Sequence, residues 1–315
     1  MAKGFVVNTP YDDVFRTMLN DCSRLIIPVI NEIFCENYRG DEKIVFSPEI
    51  HFVNQQDGEE TKRITDSSFE IIGEKETKFL LECQSTADSS MLIRIFEYAT
   101  QIALDQGELE NNVLKVEIPR SAILFLRSNG ATPDKMTIEI KTPGGVNSFD
   151  VPVMKAQKYS IDDIFEKGLL FLIPFYIFSH ESRFQEYELD EDALKELKIE
   201  YMEIVKHLDS LLENGSISVY TKKMIVEMSN KVVNHLAQKY DNVKEGVTSI
   251  MGGKVLEYEA KQILNEGKKE GRIEGRIEQA RETAQVLRGM GISEEKIAKA
   301  VNVSVGVLKE WFSAN

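Results

Sequence analysis

The sequence predicts an α/β fold, a mixed central sheet flanked by helices, followed by a helical C-terminal region. Three observations carry this expectation. Strand-like runs near 48–54, 64–72 and 78–84 precede an amphipathic helical stretch at 90–104, and the apolar run RSAILFLRS at 120–128 follows it. That β-β-β-α-β order indicates a mixed sheet with helices against it. From Asp190 onward, apolar residues recur at helical spacing almost to the end.

A chain of 315 residues, 42% of them hydrophobic, can bury a real core, and one domain with an appendage is the natural organisation. The three cysteines, Cys22, Cys35 and Cys83, are an odd number without metal-ligand spacing. The four histidines are scattered, which argues against a histidine-based zinc site. MAKGFVVNTPYDD lacks the basic and long apolar regions of a secretory signal. LLFLIPFYIF at 169–178 is too short to span a bilayer and contains Pro174. A reduced, cytoplasmic setting without membrane contact is therefore expected.

The net charge of −14 is unevenly spread. Residues 254–315 hold 11 basic and 10 acidic side chains, leaving 27 basic and 42 acidic in the first 253. Such a field repels polyanions, so phosphate binding would require a local basic patch or bound cations.

Residues 11–36 read as helix, with Leu25, Ile26, Val29, Ile30 and Ile33 in an apolar stripe and a kink or break expected near Asp21 because of Pro28. At ~100° per residue, Glu32 falls at the edge of that stripe. GEKE at 73–76 supplies a turn between two strands, and TPGGVN at 142–147 reads as a hairpin. In the helix at 90–104, Asp88 or Ser89 is available as N-cap. Leu92, Ile95, Phe96, Ala99, Ile102 and Ala103 take one face, while Arg94, Tyr98 and Gln101 cluster on the other. The sequence thus divides into a core at 1–185, a helical extension at 186–253 and a tail at 254–315.

In the tail, Gly267, Gly271 and Gly275 recur four apart in a charged helix-like run. Each glycine costs about 1 kcal/mol against alanine, so this helix should be marginal or tightly packed. The last 25 residues read as helix, turn, helix, with Ser293 and Ser304 at N-cap positions. Ile297, Ala300, Val303, Val307, Leu308 and Trp311 form the expected small core. A DNA-binding helix-turn-helix fits this pattern, as does a hairpin for packing or self-association, and the second is the commoner use.

FLLECQ at 79–84 poses the chemical question. Alternation puts Leu80, Glu82 and Gln84 on one face and Phe79, Leu81 and Cys83 on the other. In TDSSFEII, Asp66, Ser68 and Glu70 face one way and Phe69 and Ile71 the other. If the two strands pair as a hairpin, carboxylates from both, with a third from Glu32, make a hard oxygen-ligand site suited to Mg²⁺. Polar residues alternating on a strand are usually its solvated face, but Glu82 sits in an otherwise apolar strand that leads into a buried helix. On spacing alone, Arg94, Tyr98 and Gln101 read as an exposed helix face.

YDDVFRTMLNDCSRLIIPVINEIF, TDSSFEI and FLLECQSTADSSMLIRIFEYATQIAL together resemble the Rpn family of recombination-promoting nucleases, also labelled transposases, of the PD-(D/E)XK nuclease superfamily. The likeness runs through about residues 8–180, and the glycine-punctuated tail is similar too. It implies a restriction-endonuclease-like core and a metal-dependent DNA endonuclease using Mg²⁺, or another divalent cation such as Mn²⁺ or Ca²⁺. It implies that Asp66 and Glu82 hold the metal, with the Cys83 carbonyl as a further donor, and that Glu32 is the acidic residue of the first core helix. Gln84 occupies the place of the superfamily's lysine. An amide cannot act as a general base, so Gln84 would orient water, and Arg94 would stabilise phosphate charge. Glutamine recurs at this place in the resembled family, so it does not mark lost activity. DNA is the implied partner; separately, the glycine-punctuated tail is expected to gain most from contact with another helix and so to join copies into a homo-oligomer. The competing expectation is a catalytically weak or inactive nuclease-fold protein that binds DNA or acts as an oligomeric interaction module.

Overall fold

The structure is a computed structural model that describes residues 10–46, 50–54, 61–65, 68–86, 90–252, 280–281, 283–290, 292–301 and 303–313. The chain divides into two compact units, residues 1–253 and 254–315.

The first unit opens with α1 (Pro10–Asp21) and α2 (Ile26–Phe34), separated by a 3-10 turn at Ser23–Leu25. The break falls where the sequence places it. Pro28 is the third residue of α2, where a backbone N–H would lack an intrahelical partner anyway, so the ring removes no helical bond. Cys35 ends α2 in the left-handed region at φ 54°. Asn31 then fixes the departing chain, its amide donating to the Tyr38 carbonyl and accepting from the Tyr38 N–H, both at 2.9 Å.

The strands follow as β1 (Lys43–Phe46), β2 (Ile50–Asn54), β3 (Thr61–Thr65), β4 (Ser68–Ile72) and β5 (Glu76–Gln84). After α3 (Met91–Asp105) come β6 (Glu108–Glu110), β7 (Val113–Lys115), β8 (Arg120–Phe125), β9 (Lys135–Thr142) and β10 (Gly145–Lys155). Six of them form a mixed sheet in the order β1-β4-β5-β8-β10-β9. β4 runs antiparallel to β1 and β5, whereas β5, β8 and β10 are mutually parallel and β9 returns antiparallel to β10. The expected TPGG hairpin joins β9 to β10.

One expectation needs correcting. The alternation across 64–72 reads as a single strand, but it divides between β3, which among the described residues pairs with β2 in a separate two-stranded sheet, and β4 of the central sheet. The small β6–β7 hairpin was not anticipated. It turns on Asn111 and Asn112, both left-handed at φ 49° and 63°, a conformation asparagine tolerates in tight hairpin turns.

The two faces of the central sheet bury different layers. On one, Leu80, Ile123, Phe125, Ile138 and Val151 pack against Met91, Ile95, Tyr98, Ala99 and Ile102 of α3. On the other, the Phe79 ring meets Phe34 of α2, centroids 5.3 Å apart. Each fully buried aliphatic or aromatic side chain in these layers stabilises the fold by about 1.5–3 kcal/mol.

Helices complete the unit: α4 (Ile161–Glu166), a 3-10 segment at Leu170–Arg183, α5 (Phe184–Leu189), α6 (Glu191–Glu213), α7 (Val219–Leu236) and α8 (Asp241–Met251). Asp190 caps α6 and Ser218 caps α7 through side-chain oxygens. The apolar run around Pro174 is core: Phe171, Ile173, Phe175, Ile177 and Phe178 are all buried. Among the described residues, no helix is long and apolar enough to cross a membrane.

In the second unit, helices Glu294–Ala300 and Val305–Ser313 enclose Ile297, Ala298, Leu308 and Trp311 with Ala284. Ala300 and Val307, expected in this core, are exposed, and Ala298 and Ala284 take their place. Ser304 caps as expected, accepting from the Val307 N–H at 3.2 Å, whereas Ser293 occupies its N-cap position without a side-chain bond. Gly267, Gly271 and Gly275 lie outside the described residues.

Candidate active site at the strand ends

β5 is apolar and buried through Phe79–Leu81 before its last residues. Glu82 and Gln84 are half-buried between the buried Leu81 and Cys83. Their strand runs beside β8 with Glu82 opposite Ile123 and Gln84 opposite Phe125. The Leu126 N–H donates to the Gln84 carbonyl at 2.8 Å, closing the pairing. Glu82 and Gln84 share the face of Leu80, so they point to the layer that α3 covers. In parallel sheets, the crevice outside the carboxyl ends of the strands is where ligands bind.

The β4–β5 hairpin pairs Ser68 with Leu80 and Glu70 with Lys78, so Ser68 and Glu70 share the Leu80 face, as the alternation predicted. Asp66 lies outside the described residues, as do Asp88 and Ser89. The N-cap position of α3 falls to Ser90.

The polar face expected on α3 divides. Arg94, one turn into the helix, is half-buried, with a terminal guanidinium nitrogen 3.6 Å from the Met91 Sδ. Tyr98 instead joins the apolar cluster, since its ring packs below the helix with Ile95 and Ile102. Gln101 donates to its own helix, to Asp105 at 2.7 Å.

Glu32 has other partners than a third-carboxylate role would require. Its Oε1 accepts from the Lys167 ammonium at 2.6 Å and the Tyr159 hydroxyl at 3.2 Å. Gly168, left-handed at φ 67°, ends α4 so that its flank passes Pro28 of α2. Burial, then the Glu32 carboxylate, holds Tyr159 well above the usual phenol range. The neighbouring Phe34 faces Phe79, so α2 covers the sheet face opposite Glu82.

Sequence reasoning missed the groups on the α1 side of the strand ends. The Cys83 thiol is fully buried, and desolvation, then the carboxylates of Asp12 and Glu82, push it well above the ordinary thiol value. Asp12 therefore lies within electrostatic reach of the β5 end. Just beyond β8, Arg127 donates to both carboxylate oxygens of Glu181, Nε to Oε2 at 2.5 Å and Nη2 to Oε1 at 2.8 Å. Its Nη1 donates to the Ser85 carbonyl at 3.3 Å, and its guanidinium lies 4.8 Å from the Phe178 ring centre. The charged residue closing the otherwise apolar SAILFLR was the signal available in the sequence. Its partner, far along the chain, was not readable there.

The opposite end of the same strands holds a cavity of about 480 Å³, lined by Phe34, Cys35, Ile118, Arg120, Phe149 and Asp150 among others. Arg120 is paired there with Glu36 and stacked 4.6 Å from the Phe34 ring centre. Asp150 is bonded to Lys135 and Thr137.

Among the described residues, no group of three or more histidine, cysteine or acidic side chains could hold a metal ion. Mg²⁺ does not need one, because it binds through one or two carboxylates and keeps several waters. The half-buried Glu82 carboxylate, with backbone carbonyls at a strand end, fits that hard-donor chemistry, while the buried, protonated Cys83 thiol does not. Comparison of the chain with family models, curated proteins and solved structures returns no match.

Proposed function

We propose that the chain is a metal-dependent DNA endonuclease that promotes recombination or serves a mobile element. The observation that carries this reading is topological. An antiparallel β4–β5 hairpin, helix α3 and a parallel β8 deliver Glu82 and Gln84, two residues apart, to the carboxyl end of a buried strand. It supports the reading suggested by the resemblance of the ECQ segment to the PD-(D/E)XK nucleases.

In this reading Glu82 and Asp66 hold the cation, with the Cys83 carbonyl as a further donor. The cation would supply an activated water and a polarised phosphate. Gln84 orients that water by hydrogen bonding, since it cannot take a proton. Arg94 meets the charge that develops on the phosphate oxygens. Glu32 stays outside the metal-holding set, because Lys167 and Tyr159 already engage it. A cation at Glu82 also lowers the local barrier that a −14 chain presents to DNA. The tail, with its Trp311-centred helical pair, joins copies into a homo-oligomer, and paired sites suit coordinated strand breaks.

The test is plasmid nicking with and without Mg²⁺, on wild type, Asp66→Ala and Glu82→Gln. Each substitution should slow cleavage at least about a hundredfold, roughly 2.7 kcal/mol of activation free energy. Cleavage that ignores Mg²⁺ or survives both substitutions would overturn the reading in favour of an inactive, DNA-binding or scaffolding nuclease fold. Deleting residues 254–315 should give a monomer that still binds metal.

A further inference from the structure

We propose that Arg127 is a positioning residue: it ties the carboxyl ends of β5 and β8 to the 3-10 segment Leu170–Arg183 and so fixes how Glu82 and Gln84 are presented. Its effect on cleavage rests on the nuclease reading above; its effect on the strand end does not.

The tie has four parts. The guanidinium fork is saturated on one side by Glu181, a planar two-bond match that fixes its orientation. Phe178, from the same segment, supports the flat face at 4.8 Å. With both constraints met, the remaining Nη1 is aimed at the Ser85 carbonyl, the first residue after Gln84. Gln157 adds a parallel strut, accepting from the Ser128 N–H at 2.7 Å and donating to the Phe178 carbonyl at 2.7 Å. Arg127 and Glu181 side chains are each 32% exposed, so the pair is screened less than a surface ion pair.

The need for such a tie follows from the ladder. The last bond between β5 and β8 is Leu126 N–H to Gln84 carbonyl, and strand pairing ends there. Beyond it, the Gln84–Ser85 peptide could rotate and carry the Gln84 side chain and the adjacent Glu82 out of register. Holding the Ser85 carbonyl from the side removes that freedom. Misplacement of a reacting group by about 1 Å can cost on the order of a hundredfold in rate. Tyr11 of α1 packs against the same Phe178 ring, centroids 4.9 Å apart, so the tie also anchors the helix that carries Asp12.

The experiment compares wild type, Arg127→Met, Arg127→Lys and Glu181→Gln in the full chain. Hydrogen exchange is read for peptides covering 80–86 and 122–128, with α6 as internal control. Mn²⁺ affinity is measured by calorimetry and cleavage on plasmid. Arg127→Met should speed exchange at both strand ends about tenfold with α6 unchanged, and weaken Mn²⁺ binding about tenfold. Arg127→Lys, which keeps the charge but not the fork, should fall between, and Glu181→Gln should show the same pattern at about threefold. Unchanged exchange at 80–86 in Arg127→Met would overturn the proposal, as would faster exchange with Mn²⁺ affinity and cleavage intact. If Arg127→Met does not fold, Glu181→Gln decides by the same criteria. If wild type neither binds Mn²⁺ nor cuts, the nuclease reading fails, and the exchange data alone decide whether Arg127 orders the strand end.

Discussion

Arg120 and Arg127 stand at opposite ends of β8 and have nearly the same surroundings: a glutamate partner and the face of a phenylalanine ring. Arg120 pairs with Glu36 and stacks on Phe34 and, at 5.7 Å, on Phe79. All of those contacts are to side chains, around a cavity whose polar groups are already engaged. Arg127 makes the same two kinds of contact, also engages the Tyr11 hydroxyl of α1, and reaches the backbone of the neighbouring strand. An arginine that grips only side chains contributes packing and a screened ion pair, whereas one that also grips a strand's backbone sets where that strand's last side chains point. The difference that bears on β5 is the Ser85 carbonyl.

The largest effect that sharpens this contrast is on function. Arg127→Met should lower Mn²⁺ affinity and cleavage about tenfold, while Arg120→Met should leave both within about twofold. Its own loss should be a stability change of about 1 kcal/mol, in line with partly exposed ion pairs. Equal effects of the two substitutions on Mn²⁺ affinity would dissolve the distinction between the ends.

Thiol chemistry separates the ends next. Cys35 at the cavity end is exposed, whereas Cys22 and Cys83 are buried, with Cys22 pushed up to about 11 by burial and Cys83 well above its ordinary value. A thiol reagent should therefore modify one cysteine in the native chain and three after denaturation. Rapid native labelling of Cys83 would show that the β5 end opens in solution.

Opposite pH extremes should test the two ends in turn. The raised folded pKa of Cys83 means that its contribution is full below the unfolded thiol value, about 8.5, and is lost as pH rises beyond it. Alkaline melts should thus lose about 1.4 kcal/mol per pH unit from this group, and Cys83→Ala should remove that part of the slope. At the cavity end, the Asp150 carboxyl is held below its ordinary value by the Lys135 and Thr137 bonds. Its stabilisation is present above the unfolded carboxylate value, about 3.9, and fades as pH falls through the folded one. Asp150→Asn should reduce the pH dependence of stability on the acid side only, and slightly, because its side chain is exposed and the pair is screened by solvent.

Much of this was legible in the sequence because local chemistry agreed with the tertiary answer. The break before α2, the TPGG hairpin, the β5–α3 unit and the helical stretch from Asp190 onward all follow from periodicity and turn residues near at hand. The division between β3 and β4 was not legible, because period-two alternation continues through 64–72 while the two halves join different sheets. Tyr98 was misplaced for a related reason: a tyrosine at the edge of a polar stripe buries its ring when an apolar cluster lies below. Glu82 and Gln84 could be found from their incongruity within an apolar strand. The Arg127–Glu181 pair could not, since pairing between distant parts of the chain leaves no local pattern. The lysine that engages Glu32 was hidden in the same way.

The sheet's outer strands bear on how copies of this chain could meet. β1 spans four residues, with Lys43 and Val45 outward, and β9 exposes Lys135, Glu139 and Lys141 along its length. A short border on one side and a row of alternating charges on the other are poor templates for another strand, because incoming backbone would have to strip water from fixed ions. Stacking of one sheet onto the next is thereby discouraged at both margins. Self-assembly through the proposed tail would then run through helices rather than through the ladders of the central sheet, and it should dissolve under conditions that unfold helical hairpins while leaving that sheet intact.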